Sequence, residues 1–106
     1  MRKHPPVENI DIEQIDDVIH GRVRLGVMAY LAAVDVAEFN QLKAQLGATD
    51  GTLSVHLRKL EDAGYIAIEK TFRDRRPLTR AKLTADGRKA FKHYLEALGK
   101  LTGLSD

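Results

Sequence analysis

The chain has 106 residues, a formal net charge of +2 and no cysteine. This length favours a single domain, and the absence of cysteine excludes disulfides, thiolate metal sites and cysteine redox chemistry. The charge is unevenly distributed, since residues 1–48 carry five basic and seven acidic side chains whereas residues 49–106 carry twelve and eight. The positive excess of the second half favours a polyanionic partner.

The first twenty residues predict a disordered arm followed by a short helix. Residues 1–8 combine charges with a proline pair and have too few apolar groups to order themselves, which leaves residues 9–106 as the domain. Residues 11–20 predict the helix, with Asp11 as its cap and Gln14 completing a capping box. Its apolar stripe requires a packing surface, either the domain's own core or a second subunit.

Two further helices are predicted over residues 22–34 and 39–46, because apolar side chains recur in both at helical spacing. Val36 and Ala37, between them, predict a short strand that pairs with a later strand. Gly47 and Ala48 then supply the small residues of a tight turn between two steeply crossing helices. The N-terminus has no signal-peptide pattern and the chain has no apolar run of membrane-spanning length, so we expect a cytoplasmic protein.

Residues 49–63 predict a helix with Leu53, Leu57 and Leu60 on one face. Gly64 is placed to end this helix in a left-handed conformation. The opposite face is short, with hydroxyls and two cations, which suits a helix that enters a DNA major groove. An ordinary amphipathic surface helix has the same pattern, so the helix alone leaves both interpretations open.

A basic hairpin is predicted after this helix. Short apolar runs at residues 65–69 and 78–83 flank a turn over residues 73–77, and Phe72 is expected in the hairpin's core. Between Lys70 and Lys82 the chain carries six basic side chains and one acid. Such a concentration of charge repels itself unless a polyanion is the partner. The hairpin therefore favours the interpretation that the preceding helix binds nucleic acid.

The run TDGTLSVHLRKLEDAGYI, followed by EKTFRDRRPLTRAKLTADGRKAF, resembles the winged helix-turn-helix transcriptional regulators of the MarR/ArsR type. The similarity is greatest to their small single-domain group and covers roughly residues 19–95. The resemblance implies a dimeric DNA-binding regulator with its recognition helix over residues 49–59 and its wing tip over residues 73–76. Those relatives carry Gly before Arg-Arg-Pro, whereas Asp74 and Arg75 stand here, which leaves the conformation of the tip open.

The expected fold is α+β and mainly α. It comprises a three-helix core with a β-hairpin wing, plus N- and C-terminal helices for dimerisation. The last helix begins at Thr84 and carries a long apolar stripe that includes Tyr94, Leu95 and Leu101. We expect this stripe to pack against the N-terminal helix of a second copy in a homodimer. The alternative is that the helix folds back on its own domain.

The resulting hypothesis is a homodimer that places two recognition helices in successive major grooves of double-stranded DNA, with the wings at the flanking minor groove. The residues predicted to contact DNA divide into three groups. Candidates for base edges are Thr52, Ser54, Val55 and His56; candidates for phosphates are Thr49, Arg58 and Lys59; candidates on the wing are Lys70, Arg73, Arg75 and Arg76.

Other functions are weighed against this hypothesis. A winged-helix protein–protein interaction module is the main alternative, because the same fold also serves in assemblies without DNA. Catalysis is not expected, since the four histidines form no metal-binding pattern and no Gly-rich phosphate loop is present. No cofactor is predicted. The sequence leaves room for a small-molecule effector but identifies no residues that bind one.

Overall fold

The computed structural model describes residues 11–103, so the predicted arm over residues 1–8 lies outside the described residues. Four helices and three strands follow a short N-terminal 3₁₀ helix. In chain order they are the 3₁₀ helix Ile12–Gln14, α1 Arg22–Val34, β1 Val36–Glu38, α2 Phe39–Leu46, α3 Asp50–Asp62, β2 Ile66–Arg73, β3 Arg76–Leu83 and α4 Ala85–Thr102.

The N-terminal segment is less helical than its sequence predicts. Asp11 does cap a helix, because its carboxylate accepts a hydrogen bond from the N–H of Glu13 at 3.2 Å. The helix ends after one turn, since the carboxylate of Asp16 accepts hydrogen bonds from the N–H groups of Val18 and Ile19. This local pairing competes with a continuing α-helix, so the predicted helix over residues 11–20 is wrong beyond its first turn.

Helices α1, α2 and α3 lie where the apolar periodicity predicts them, and their apolar faces form the core. The fully or nearly fully buried side chains of these helices are Val27, Met28 and Leu31 on α1, Leu42 on α2, and Leu53, Leu57 and Leu60 on α3. Burial of a leucine side chain stabilises a fold by about 1.5–3 kcal/mol. The leucine face of α3 is therefore held inward, and its opposite face is turned to solvent.

The end of α3 confirms the role predicted for Gly64. This residue has a φ of 82°, in the left-handed region. Its N–H donates to the carbonyl of Glu61 at 2.9 Å, and the N–H of Tyr65 donates to that of Leu60 at 3.0 Å. This pair of bonds is a Schellman motif, which satisfies the last carbonyls of the helix and turns the chain directly into β2.

The three strands form one antiparallel sheet in the order β1–β3–β2. The predicted strand at Val36 is confirmed, since β1 pairs with residues 80–82 of β3. The hairpin is longer than predicted: Arg73 pairs with Arg76, so the expected five-residue turn contracts to two residues. Pro77 is tolerated in β3 because β1 ends its pairing at Arg80 and leaves that edge of β3 open.

Helix α4 starts at the predicted cap, where the hydroxyl of Thr84 accepts a hydrogen bond from the N–H of Gly87 at 2.9 Å. Tyr94 is fully buried against the core, so part of the stripe folds back on its own domain. The outer part does not, since Leu95 and Leu101 keep 49% and 41% of their surface exposed. These two leucines therefore remain available to a partner.

Polar contacts fasten the N-terminal segment to the domain. The hydroxyl of Tyr65 donates to the carboxylate of Asp16 at 2.5 Å, and the hydroxyl of Tyr94 lies 2.9 Å from Nδ1 of His20. Burial raises the pKa of Tyr65 to about 12, with a further contribution from the hydrogen bond to Asp16. The segment is thus held by side chains from β2's start and from α4.

Replacing Tyr65 by Phe is expected to lower the free energy of unfolding by about 1–2 kcal/mol, because the carboxylate of Asp16 loses a charge-assisted hydrogen bond. Urea denaturation followed by circular dichroism measures the change. Tyr30→Phe is the matched control, since the hydroxyl of Tyr30 makes no hydrogen bond within residues 11–103. Equal losses in the two variants would show that the Asp16 contact adds nothing.

Candidate nucleic-acid interface

The solvent-facing side of α3 carries most of the residues predicted for DNA. Its short and basic side chains are exposed because the leucines of the other face are buried. Val55 is the large apolar residue on this side, and 56% of its surface is exposed. The predicted α3 residues that are exposed are Thr52, Ser54, Val55, Arg58 and Lys59.

The first turn of α3 is fixed by its cap. The hydroxyl of Thr49 accepts a hydrogen bond from the N–H of Thr52 at 3.2 Å and donates to the hydroxyl of Thr52 at 3.0 Å. Lys43 of α2 forms an ion pair with Asp50 at 2.6 Å. The cap closes the first turn of α3 around two predicted contact residues, and the ion pair links that turn to α2.

His56 differs from the other predicted residues because it is half-buried. Its Nδ1 lies 2.8 Å from a guanidinium nitrogen of Arg24. Burial lowers the pKa of His56 below its ordinary value of 6.5, and the charges of Arg24 and Lys59 lower the pKa further. The unfolded chain therefore binds more protons in acid, so this group reduces the free energy of unfolding as the pH falls below about 6.5.

The conformation of the wing tip, left open by the sequence, is a two-residue turn without glycine. Asp74 and Arg75 have φ values of 51° and 69°. Positive φ at both central residues is typical of a type I′ turn, whose twist matches that of a hairpin. The turn places Arg75 at the tip, and Arg76, the first residue of β3, is exposed beside it.

Two wing arginines are engaged within the protein. Arg73 forms an ion pair with Glu38 of β1 at 2.6 Å, and Arg80 forms one with Glu69 on the neighbouring strand. Arg73, one of the predicted DNA contacts, is therefore drawn toward β1. The remaining basic side chains of the wing make no ion pair within residues 11–103. They are Lys70, Arg75, Arg76 and Lys82.

A groove of about 690 Å³ separates α3 from the wing. The cations Arg58 and Lys70 line it, together with the hydroxyls of Ser54 and Thr79 and the carboxylate of Glu61. Such donors suit the oxygens of a phosphate backbone. Thr79 was not among the residues predicted from the sequence, because its position in this groove follows from the β2–β3 register. The groove brings predicted residues of the helix and of the wing together.

Phe72 does not form the hairpin's core as predicted, since 71% of its surface is exposed. It lies on the same wing face as Ile68 and Lys70, as the two-residue alternation of a strand requires. Pairing with Pro77 places Phe72 near the tip. The end of the hairpin that packs against the helices is the opposite one, at Ile66. An exposed aromatic side chain thus stands beside the wing's unpaired cations.

Residues 11–103 contain no cluster of three or more side chains suited to hold a metal ion. Within the same range, no helix combines the length and apolar character needed to cross a membrane.

The sequence model of a family described as winged helix DNA-binding domain matches residues 23–102. An uncharacterized protein of Methanocaldococcus jannaschii is 38% identical over 85 residues, which make up 80% of this chain and 92% of that protein. A solved structure of a transcriptional regulator homologue from Pyrococcus horikoshii OT3 superposes with a TM-score of 0.79 and 32% identity, covering 86% of this chain and 91% of that one.

A MarR-family transcriptional regulator from Silicibacter pomeroyi has the same fold, with a TM-score of 0.60 and 20% identity over 85% of this chain and 62% of that one. Together with the three-stranded sheet and the position of α3, these similarities confirm the predicted α+β winged helix fold and the resemblance to winged helix transcriptional regulators. The family and the Pyrococcus neighbour are described as a DNA-binding domain and a transcriptional regulator, not as enzymes.

Arg75→Gly is expected to raise the free energy of unfolding by about 0.5–1 kcal/mol. Glycine relieves the cost of a left-handed backbone at the turn, which exceeds the entropy that glycine adds to the unfolded chain. Thermal or urea denaturation measures the change. Arg76→Gly removes the same side chain from an extended residue of β3, so it is expected to destabilise the fold. Destabilisation by both variants would contradict a strained tip.

Proposed function

The chain belongs to the winged helix DNA-binding domain family, and we propose that it is a transcriptional regulator that binds double-stranded DNA sequence-specifically as a homodimer. The observation that carries this proposal is the groove between α3 and the wing. Two cations stand on its two sides, Arg58 on the helix and Lys70 on the wing, and neither forms an ion pair within the described residues. One acid, Glu61 of α3, also lines the groove.

The position of the groove supports separate DNA contacts for the groove residues and for the wing tip. With α3 in a major groove, the phosphate backbone beside it passes between the helix and the wing, where Arg58, Lys70 and the hydroxyl of Thr79 lie. The tip then reaches the flanking minor groove with Arg75 and Arg76. A narrow, A·T-rich minor groove attracts arginine because of its enhanced negative potential.

On α3, the exposed residues Thr52, Ser54 and Val55 are proposed to read base edges, together with His56. Val55 suits the methyl group of thymine, and the hydroxyls suit hydrogen-bonding edges. Lys59 and the capped N-terminus at Thr49 are proposed to contact phosphates, since the first turn of a helix presents free N–H groups to anions.

Arg73 joins the DNA contacts only if it leaves Glu38. Its ion pair is largely exposed on the arginine side, and an exposed ion pair contributes at most about 1 kcal/mol. A phosphate can therefore compete with Glu38 for this side chain. We propose that Arg73 exchanges partners on binding and adds less affinity than Arg75, which forms no ion pair within residues 11–103.

A homodimer is proposed because α4 continues past the part of the domain that covers it. Leu95 and Leu101 remain exposed on its outer half. A second copy related by a two-fold axis buries both stripes with one self-complementary contact. The same two-fold axis places the two α3 helices about 34 Å apart, which is one turn of the DNA helix and the spacing of two half-sites. The operator is then a pseudo-palindrome.

Fluorescence anisotropy with a labelled random-sequence duplex tests DNA binding directly. A log–log plot of the association constant against salt is expected to have a slope steeper than about −4, because each phosphate contact contributes about −0.9. If no complex forms even at low salt, the DNA proposal fails and a protein-interaction module becomes the better account. Val55 and Phe72 would then mark its apolar contact surface.

Arg75→Ala is expected to weaken binding to all sequences and to make the salt slope shallower by about 0.9, since one contact is lost. Lys89→Ala removes an exposed cation from α4 and serves as the matched control, for which slope and affinity should be unchanged. If Arg75→Ala behaves like this control, the wing tip does not touch DNA.

The dimer is tested by sedimentation velocity at micromolar concentration, where the wild-type chain is expected to sediment as a dimer. Leu95→Glu should give a folded monomer, because a charge then lies in the apolar contact. Lys89→Glu introduces the same charge at an exposed position of α4 that lies about 120° around the helix from both leucines, and it should leave the dimer intact. A wild-type chain that is monomeric throughout would refute the α4 contact.

A further inference from the structure

Arg24 lies in the first turn of α1, and its guanidinium is turned toward α3. Nε donates to the carbonyl of Val18 at 2.5 Å, and one terminal nitrogen donates to that of Asp17 at 3.3 Å. The other terminal nitrogen lies 2.8 Å from Nδ1 of His56. Each of the three guanidinium nitrogens thus makes one contact within the protein.

The contact with His56 determines which ring nitrogen carries the proton. A guanidinium donates hydrogen bonds and cannot accept them. Nδ1 of His56 must therefore be the acceptor, so the neutral ring carries its proton on Nε2. Nε2 makes no hydrogen bond within the described residues. Among the described residues, the only side-chain nitrogen or oxygen that is buried without a hydrogen-bond partner is Nε of Arg80. Because Nε2 of His56 has no partner and is not buried in this way, it is open to solvent.

We propose that Arg24 is a positioning residue for DNA reading, which holds His56 as the neutral Nε2–H tautomer so that α3 presents one hydrogen-bond donor to a base edge. This inference rests on the proposed function. In the major groove the matching acceptors are purine N7, guanine O6 and thymine O4. An exposed amino group, on adenine N6 or cytosine N4, would face the donor unfavourably, so Arg24 contributes to specificity without touching DNA.

The surroundings of the ring keep it neutral. Arg24 and Lys59 are the cations beside it, and both disfavour a second proton. Burial acts in the same direction and more strongly, so the pKa of His56 is lowered. Removing Arg24 frees Nδ1, after which the ring can adopt either tautomer or become protonated. Its contact with a base edge then ceases to be defined.

The tautomer is tested without DNA by long-range proton–nitrogen NMR of the full chain, with the His56 signals assigned through His56→Gln. In the wild-type chain Nδ1 is expected to show the downfield resonance of an unprotonated ring nitrogen at neutral pH. In Arg24→Met the two nitrogen resonances should approach each other and the ring should titrate at higher pH. A ring protonated at Nδ1 in the wild type, or an unchanged spectrum in Arg24→Met, would overturn the proposal.

The reading role is tested by selecting bound sequences from a randomised duplex library with the wild type, Arg24→Met, His56→Ala and the double variant. His56→Ala is expected to lose about a fivefold preference at one base pair per half-site, the equivalent of one neutral hydrogen bond. Arg24→Met should lose the same preference at the same pair, and the double variant should lose no more. An altered preference elsewhere, or only a uniform loss of affinity, contradicts the proposal.

Two further variants separate positioning from folding. Arg24→Lys keeps the charge, but its single ammonium nitrogen cannot reproduce the planar fork of three nitrogens that contacts Val18, Asp17 and His56. This variant should fold like the wild type and still relax the preference. Tyr65→Phe loosens the same N-terminal segment without touching Arg24 or His56, so its base preference should be unchanged. If Tyr65→Phe relaxes the preference equally, Arg24 acts through general stability and the proposal fails.

The two proposals fail in different ways. A wild-type chain that binds no duplex at low salt would refute both DNA binding and the reading role, while the NMR spectra would still decide whether Arg24 fixes the ring. A chain that binds DNA but shows the same base preference with and without Arg24 would refute the inference alone.

Discussion

The burial of the leucine face of α3 is the constraint on which the rest of the structure depends. Leu53 and Leu60 are fully buried and Leu57 almost so, and truncating a buried leucine typically costs about 2–5 kcal/mol. Rotating α3 about its axis would expose these side chains, so the helix has one stable orientation. The hydroxyls and cations of its other side are consequently presented as a fixed surface.

The wing adds charge to that surface at some conformational cost. Two non-glycine residues, Asp74 and Arg75, occupy left-handed backbone at the tip, a conformation that costs roughly 1–2 kcal/mol for each residue. The hairpin tolerates this cost because eight paired positions hold β2 against β3. Acids on β1 and β2 neutralise Arg73 and Arg80. Within residues 11–103, the wing cations without an ion pair are therefore Lys70, Lys82 and the two arginines at the tip.

Polar contacts connect the surface to elements far from it in sequence. Arg24 joins the segment before α1 to His56 on α3. Tyr94 on α4 and Tyr65 at the start of β2 hold the same segment through His20 and Asp16. The segment therefore lies between the outer helix, where a second copy is proposed to pack, and the helix proposed to read DNA. The segment is thus hydrogen-bonded to α4 through His20 and linked to α3 through Arg24.

The amino-acid sequence by itself determined the helices α1 to α4, the turn at Gly47 and the cap at Gly64, because apolar spacing and caps act between residues close in the chain. It also indicated which side of α3 faces solvent. It missed the local hydrogen bonds of Asp16 that end the N-terminal helix early, the exposure of Phe72, and the engagement of Arg73 and His56. The last three were decided by the tertiary structure, since Arg24, Glu38 and Pro77 reach these residues only once strands and helices have assembled, and no local pattern encodes such partners.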